Sequence, residues 1–404
     1  MAVFFEKEFM SAVPKVYRDA VMLASDAAEK KGYQIFLIGG VVRDLILKND
    51  IKDIDVAVQG DAIEFAEVLE KDYGCKLVGI QENLRTAKVE FCSGCVIDFA
   101  STRQERYLES GRLPVAYDFG CGLKQDILRR DFTINTLALC LTGFQKFKLV
   151  DYCGGYEDIL NKKIRILHNN SFVDDPSRII RALKFKVRFG FEIEEKTHSL
   201  MQNYLDDVSP VMPLERIKGE LKQYFSLDNE LLYELFISET AYKLISDNPI
   251  EKIDYRNINF MNISKTDVWF IYLVVLIVNS DFSIERLNLT SIEKRTLKEV
   301  RELLKNKIEF NNNYEIYKSF NGLAELSMII YYVITGSNYV LKYLNELKNI
   351  KVEINGKDLI MLGFSPSPYF NKIFDIILNE KLSGNLHSKE DEIKFVRENI
   401  KKEE

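Results

Sequence analysis

Asp53 and Asp55 stand two residues apart in Asp53-Ile54-Asp55-Val56-Ala57-Val58, a run that alternates polar and apolar residues as a half-buried strand does. On such a strand both carboxylates point to one face, while Ile54, Val56 and Val58 pack on the other. Neighbouring carboxylates on a rigid strand repel each other unless a cation sits between them. Magnesium suits that place, because it takes hard oxygen ligands and bridges to substrate phosphates. Two such ions can activate a hydroxyl and hold a leaving pyrophosphate. Many DxD pairs are simply solvated strand ends, so the context decides. Upstream, the apolar run Ile35–Ile38 ends in Gly39-Gly40, and a helical pattern, Val41–Leu47, follows. A Gly-Gly turn between strand and helix leaves backbone N–H groups to meet phosphate. Arg43, in the first turn of that helix, can serve a triphosphate as a charged donor. Asp98, in the predicted strand Cys95–Ala100, is either a third carboxylate acting as base or ligand, or a strand-edge acid.

These residues need a scaffold, and the first 150 or so residues mix short β-rich runs with helical stretches. Asp61–Tyr73 is helical by spacing, and Arg85–Phe91 and Cys95–Ala100 read as a hairpin joined at Ser93-Gly94. Ser101–Cys121 has few periodic signals, contains Gly111, Pro114 and Gly120, and reads as a mobile loop. After Leu149-Val150-Asp151 the character changes. From Ser171 onward the long segments have helical spacing and no strand is predicted. Asp174-Asp175-Pro176 opens a helix, with acids at its positive end and proline at the first turn. Asn311-Asn312-Asn313 marks a polar break between helical segments.

With 404 residues, 47% hydrophobic and 29% charged, the chain has the composition of a globular protein of several compact units. Val268–Val278 is its densest apolar run; it falls short of the ~18 residues of a membrane span and reads as a buried helix. The start, MAVFFEKEFM, lacks the basic flank of a signal peptide, so a cytoplasmic protein without a membrane partner is expected. The net charge of −6 means that any contact with nucleic acid must be local. Ile179–Phe191 offers such a stripe: Arg181, Lys184, Lys186 and Arg188 interleave with apolar residues that pack as a helix core. Some of these cations are expected to touch RNA or triphosphate, and others to form a solvated face. All six cysteines precede residue 154 and are read as free thiols. Cys92-Ser93-Gly94-Cys95 has the spacing of half a zinc knuckle, but no second such pair follows, so it reads as a turn.

Gly39-Gly40-Val41-Val42-Arg43-Asp44 followed by Asp53-Ile54-Asp55 resembles the first motif of bacterial-type (class II) CCA-adding enzymes, or tRNA nucleotidyltransferases, and poly(A) polymerases. These belong to the DNA polymerase beta nucleotidyltransferase superfamily. Arg129-Arg130-Asp131-Phe132-Thr133-Ile134-Asn135 resembles their second motif. Asp174-Asp175-Pro176-Ser177-Arg178, with Arg181 beyond it, resembles their nucleotide-selecting motif, although the family commonly has Glu-Asp where this chain has Asp174-Asp175. Leu214-Glu215-Arg216-Ile217 with Glu220 looks like the helix after it. Near the end, Asn355-Gly356-Lys357-Asp358-Leu359 resembles the tRNA-binding tail, but Pro366-Ser367-Pro368 stands where the family often has Pro-Gly-Pro.

These motifs have a physical rationale. Arg130 and Asp131 can bond ribose hydroxyls, or can form a structural ion pair at a helix start. Asn135 lies four residues beyond Asp131, on the same helical face. Asp175 and Arg178 are three apart, so a helix brings them together. Cytosine and adenine each present an amino donor beside a ring-nitrogen acceptor, which a carboxylate and a guanidinium match. Uracil and guanine present the reverse order. The bland alternative is a helix-terminal acid paired with an arginine one turn on.

The resemblance implies an α+β chain with a nucleotidyltransferase head of mixed sheet over residues 1–150. A helical neck over 151–225, a body over 226–313 and a tRNA-binding tail over 314–404 complete it. It implies a bent, elongated molecule that adds CCA to the tRNA 3′ end from CTP and ATP with Mg2+, releasing pyrophosphate. Asp53 and Asp55 hold the metal in that reading, with Asp98 the third catalytic carboxylate. Gly39, Gly40, Arg43, Arg130, Asp131, Asn135, Asp175, Arg178 and Arg181 bind the nucleotide. Addition of A alone or of CC alone, poly(A) synthesis, and a non-catalytic RNA-binding role are the alternatives. The sizeable Ser101–Cys121 segment favours a capacity to add A.

Overall fold

The computed structural model describes residues 3–51, 53–109, 114–207, 214–260, 265–280, 287–305 and 309–401. The chain forms two compact units, Met1–Ile245 and Ser246–Glu404.

The first unit is built on a seven-stranded sheet. Its strands are β1 (Gln34–Ile38), β2 (Asp55–Gln59), β3 (Lys76–Gln81), β4 (Thr86–Glu90), β5 (Val96–Ser101), β8 (Ala138–Cys140) and β9 (Leu149–Val150), in the order β3-β4-β5-β2-β1-β8-β9. Between β5 and β8 in sequence, β6 (Gln104–Arg106) and β7 (Val115–Tyr117) pair with each other apart from the sheet. β2 and β5 are parallel, and the other neighbours in the large sheet are antiparallel. That pattern positions the chemistry. Because β1 runs against β2, the turn that leaves β1 at Gly39 lies beside the start of β2, where Asp55 stands. Because β5 runs with β2, Asp98 becomes the direct cross-strand neighbour of Asp55.

Both faces of the sheet are covered. On one, the helix Ala62–Tyr73 packs Phe65 edge-on against Phe99 of β5, with ring centroids 5.5 Å apart. Burying a side chain of this size contributes about 1.5–3 kcal/mol. The Asp61 carboxylate caps that helix by accepting the N–H groups of Ile63 and Glu64, and Gly74 ends it in the left-handed conformation. On the other face, Leu123 and Ile127 of the helix Leu123–Leu128 sit against Phe36, Ile38, Ala57 and Ala138.

Three sequence expectations change. The strand expected from Asp53 begins at Asp55, so Asp53 precedes the sheet rather than sharing it. The stretch 101–121 was expected to be a loop; β6 and β7 form a hairpin within it, their side chains too short a run to register as alternation, and residues 110–113 lie outside the described residues. Beyond Ser171, where no strand was expected, Glu192–Ile193 (β11) pairs in parallel with Lys163–Ile164 (β10). Two-residue pairings leave no period to read.

The second unit is helical. Lys265–Ile277 is a helix, and its stretch from Phe270 to Ile277 is buried as its composition predicts. Among the described residues no helix is long and apolar enough to cross a membrane. Asn312, in the asparagine triplet, caps the helix Asn313–Phe320 through the N–H of Glu315. In the C-terminal run, Asn355 and Asp358 form a capping box at the helix Gly356–Met361. The Glu392 carboxylate, fully buried, accepts the N–H groups of Glu353 and Ile354 and pairs with Lys381, which fixes the segment leading into that box.

Candidate active site

Asp55 and Asp98 share a cleft of about 470 Å3 whose walls include Gly39, Gly40, Lys88 and Arg130. The Asp55 side chain faces this opening, yet the walls exclude enough water that burial is the main cause pushing its pKa up. The negative charge of Asp98 raises it further, Arg130 opposes, and Asp53 adds less than Asp98 does. The strongest carboxylate neighbour of Asp55 is therefore Asp98, from another strand, not Asp53 in the same motif. Asp98 accepts a hydrogen bond from Lys88 Nζ at 3.0 Å on Oδ2, while its Oδ1 is buried without a hydrogen-bond partner. A buried orphan oxygen beside a second carboxylate fits a cation or a proton donor. Among the described residues, no three His, Cys, Asp or Glu side chains are grouped to enclose a metal ion. Magnesium tolerates that well: it keeps several waters and needs one or two carboxylates plus substrate phosphates. The donor set fits Mg2+ and does not fit zinc, since the cysteines form no ligand cluster.

Gly39 adopts φ +75°, and a Cβ there would come within 2.9 Å of Arg130 Nη1. The bare glycine lets the guanidinium lie against the turn. Arg130 donates to Asp126 Oδ2 at 3.1 Å, and its Nε is buried without a partner. Asp126 also takes the Arg129 guanidinium at 2.8 and 3.0 Å and the Arg103 N–H at 3.2 Å. Burial pushes the Asp126 carboxyl up, but the two arginines outweigh it and hold it below the usual range. The arginine left facing the cleft with donor capacity is thus Arg130. Arg43 is differently placed. Its guanidinium is buried, donates to Asp44 at 2.9 and 3.1 Å and to Asn135 Oδ1 at 2.6 Å, and lies 4.6 Å over the ring of Phe189. Three of its five N–H groups are engaged in this way, which leaves two for a triphosphate.

Beyond the Gly39-Gly40 turn a second opening, about 520 Å3, is lined by Arg43, Arg130, Arg181, Lys184 and Arg188. Asp131 lies at its edge. Its Oδ2 accepts from Arg181 at 2.6 and 2.8 Å, and its Oδ1 from Asn135 Nδ2 at 3.0 Å and the Phe132 N–H at 2.8 Å. Burial opposes ionisation there, but Arg181 and Asn135 prevail and hold the carboxyl at about 2. Arg181 continues to Glu220 at 2.9 Å, and Lys184 joins the same carboxylate at 2.7 Å, so the helix Ser177–Phe189 is tied to the helix Leu214–Phe225. Asp131 and Asn135 do meet, through a short 3-10 turn rather than a helical face.

Asp175 and Arg178 are also brought together, 3.7 Å apart and nearly completely buried. Asp175 Oδ1 accepts the N–H and hydroxyl of Ser177, and its Oδ2 is 2.6 Å from Arg216. That contact is an ion pair and not a hydrogen bond, so the oxygen keeps accepting capacity. Arg178 donates to the Ser171 hydroxyl at 2.6 Å and to the Tyr107 hydroxyl at 3.3 Å.

Reading by motif overlooked several of these groups. Lys88 and Asp126 belong to no motif and matter through partners distant in sequence. Tyr107 sits in the stretch read as loop, and Arg216 was noted without a role. A fourth constellation carried a visible signal, Asp151 followed by Gly154-Gly155. The Asp151 carboxylate collects the N–H groups of Cys153, Gly154, Gly155 and Tyr156, and Asp158 binds Thr133 and Arg165 just beyond.

Comparison with known proteins bears on this arrangement. Residues 35–165 match the family model of the poly A polymerase head domain. An A-adding tRNA nucleotidyltransferase of Geobacter sulfurreducens is 31% identical over 401 residues, covering 89% of this chain and 44% of that protein. One from Halalkalibacterium halodurans is 29% identical, covering 92% and 90%. The solved structure of the Thermotoga maritima CCA-adding enzyme complexed with tRNA superposes with a TM-score of 0.73 at 26% identity, covering 98% of each chain. This chain thus spans less than half of the Geobacter relative and nearly all of the other two.

Proposed function

We propose, for a chain that belongs to the bacterial-type CCA-adding enzyme and poly(A) polymerase family, a template-independent tRNA nucleotidyltransferase that completes the 3′ CCA end from CTP and ATP and releases pyrophosphate. The observation that carries this reading is the register pair Asp55–Asp98 in one cleft with the Gly39-Gly40 turn and Arg130. Asp55, Asp98 and the nearby Asp53 are the residues to hold Mg2+, which when bound supplies charge neutralisation at the phosphates and activation of the attacking hydroxyl. The protein's own part is positioning. The Gly39 turn admits phosphate close to the backbone, and Arg130, which lines the cleft with its Nη1 against that turn, is the charged donor to meet it. The 3′-oxygen forms a bond to the α-phosphorus as the bond to the pyrophosphate oxygen breaks.

Base choice falls to Asp175 and Arg178. A cytosine or adenine amino group would take the remaining capacity of Asp175 Oδ2, and the ring nitrogen would replace Tyr107 or Ser171 on Arg178. The Asp131–Arg181–Glu220 chain holds that helix in register; if Asp131 is to meet the ribose, it exchanges one of its present partners. A second reading, an A-adding specialist, is favoured by the names of the Geobacter and Halalkalibacterium relatives.

The catalytic assignment is tested by Asp55→Ala. With magnesium, tRNA extension should fall at least about a hundredfold while the protein stays folded. Full retained transfer would show that the chemistry lies elsewhere.

A further inference from the structure

We infer that Lys88 is a built-in counter-cation of the carboxylate cleft, a positioning residue that withholds Asp98 from the metal until a nucleotide triphosphate draws the ammonium away. This inference rests on the reading of the cleft as a metal and nucleotide site, and adds to it a control on metal loading.

Four observations point to it. Lys88 of β4 is the direct cross-strand partner of Asp98 of β5, and its ammonium is 3.0 Å from Asp98 Oδ2. On its other side Asp98 faces Asp55, so the one carboxylate stands between a cation and an anion in a single line of strands. The other Asp98 oxygen is buried and has no hydrogen-bond partner within the protein. Finally, Lys88 lines the same cleft as Asp55, and its side chain is 59% exposed. An exposed lysine–aspartate pair on a flexible four-carbon stem is readily exchanged. A triphosphate entering the cleft offers that ammonium several anionic oxygens. Once it swings to them, Asp98 is released to join Asp55. Metal and nucleotide then load together, and an ion without its nucleotide meets a cation already in place.

The test is direct binding of Mn2+ to the full chain without nucleotide, followed by calorimetry or by the loss of free-ion paramagnetic signal. Lys88→Met keeps the length of the side chain and removes the charge. Taking one positive charge from about 6 Å of a divalent ion should tighten Mn2+ binding roughly tenfold. Lys88→Arg should bind as the parent does, which separates charge from shape and controls for folding. With a non-hydrolysable ATP analogue present, Lys88→Met should lose its advantage, because the parent's ammonium has then already moved. Equal Mn2+ affinity of the parent and Lys88→Met, without nucleotide, would overturn the inference while leaving the metal site intact. Absence of Mn2+ binding by either, with no change in Asp55→Asn, would overturn both the inference and the metal reading on which it rests.

Discussion

Asp131 is held at about 2 because two Arg181 N–H groups, the Asn135 amide and a backbone N–H all favour its ionised form over the cost of burial. A carboxyl with a depressed folded pKa contributes stability that is complete above its unfolded value, about 3.9, and is lost as the pH falls through its folded one. For Asp131 that window runs from about pH 4 down to about pH 2, and the contribution is roughly 2 kcal/mol. Asp131→Asn should lower stability near pH 6 by about that amount and show a flatter acid-unfolding profile; equal pH profiles for the two proteins would mean the carboxylate is not so held. Asp55 has the opposite sign. Its pKa is raised, so its ionised form strains the fold as the pH rises through that value, and a bound cation relieves the strain. At this scale the sequence was most informative where one short motif contains both partners, as with Asp131 and Asn135 or Asp175 and Arg178. It left Asp98 open between a third carboxylate and a strand-edge acid and was silent about Lys88, because the setting of both depends on cross-strand register.

The strands that bear these residues were legible because apolar and polar residues alternate along β2 and β5 and because the run before Gly39 is continuously apolar. The helix Ser177–Phe189 was legible from proline and acids at its start. The need for glycine at 155 was not, although Asp151 followed by Gly154-Gly155 is a visible signal, because that need is set by contact rather than period. A Cβ at Gly155 would come within 2.1 Å of the Thr133 carbonyl oxygen, so the helix Gly155–Leu160 can approach the second motif only through a glycine. Gly155→Ala should therefore push these two elements apart. Its cost should be about 3 kcal/mol, read from the urea midpoint, with nucleotide affinity reduced as Thr133 and Asp158 separate. A loss below about 0.5 kcal/mol would show that the contact yields without consequence.

At the scale of the molecule, the chain forms two units, one carrying every candidate catalytic residue and the other helical. The division into head, neck, body and tail at residues 150, 225 and 313 is finer than that and stays a proposal. The net charge of −6 belongs to a chain that nonetheless lines the opening beyond Gly39 with Arg43, Arg130, Arg181, Lys184 and Arg188. An acidic protein can therefore serve an RNA substrate if phosphate meets it locally. In the proposed function, this cleft joins nucleotides to a tRNA 3′ end under the choice of Asp175 and Arg178. Its most direct test is incorporation with magnesium into three tRNA transcripts, lacking CCA, lacking CA or lacking only A, with CTP and ATP supplied separately and together. All three should be completed when both nucleotides are present, CTP alone should add two residues to the first, and ATP alone should serve only the last. Extension of the last transcript alone would make the protein an A-adding specialist and contradict the switching role of Asp175 and Arg178; no extension of any transcript would contradict the transferase itself.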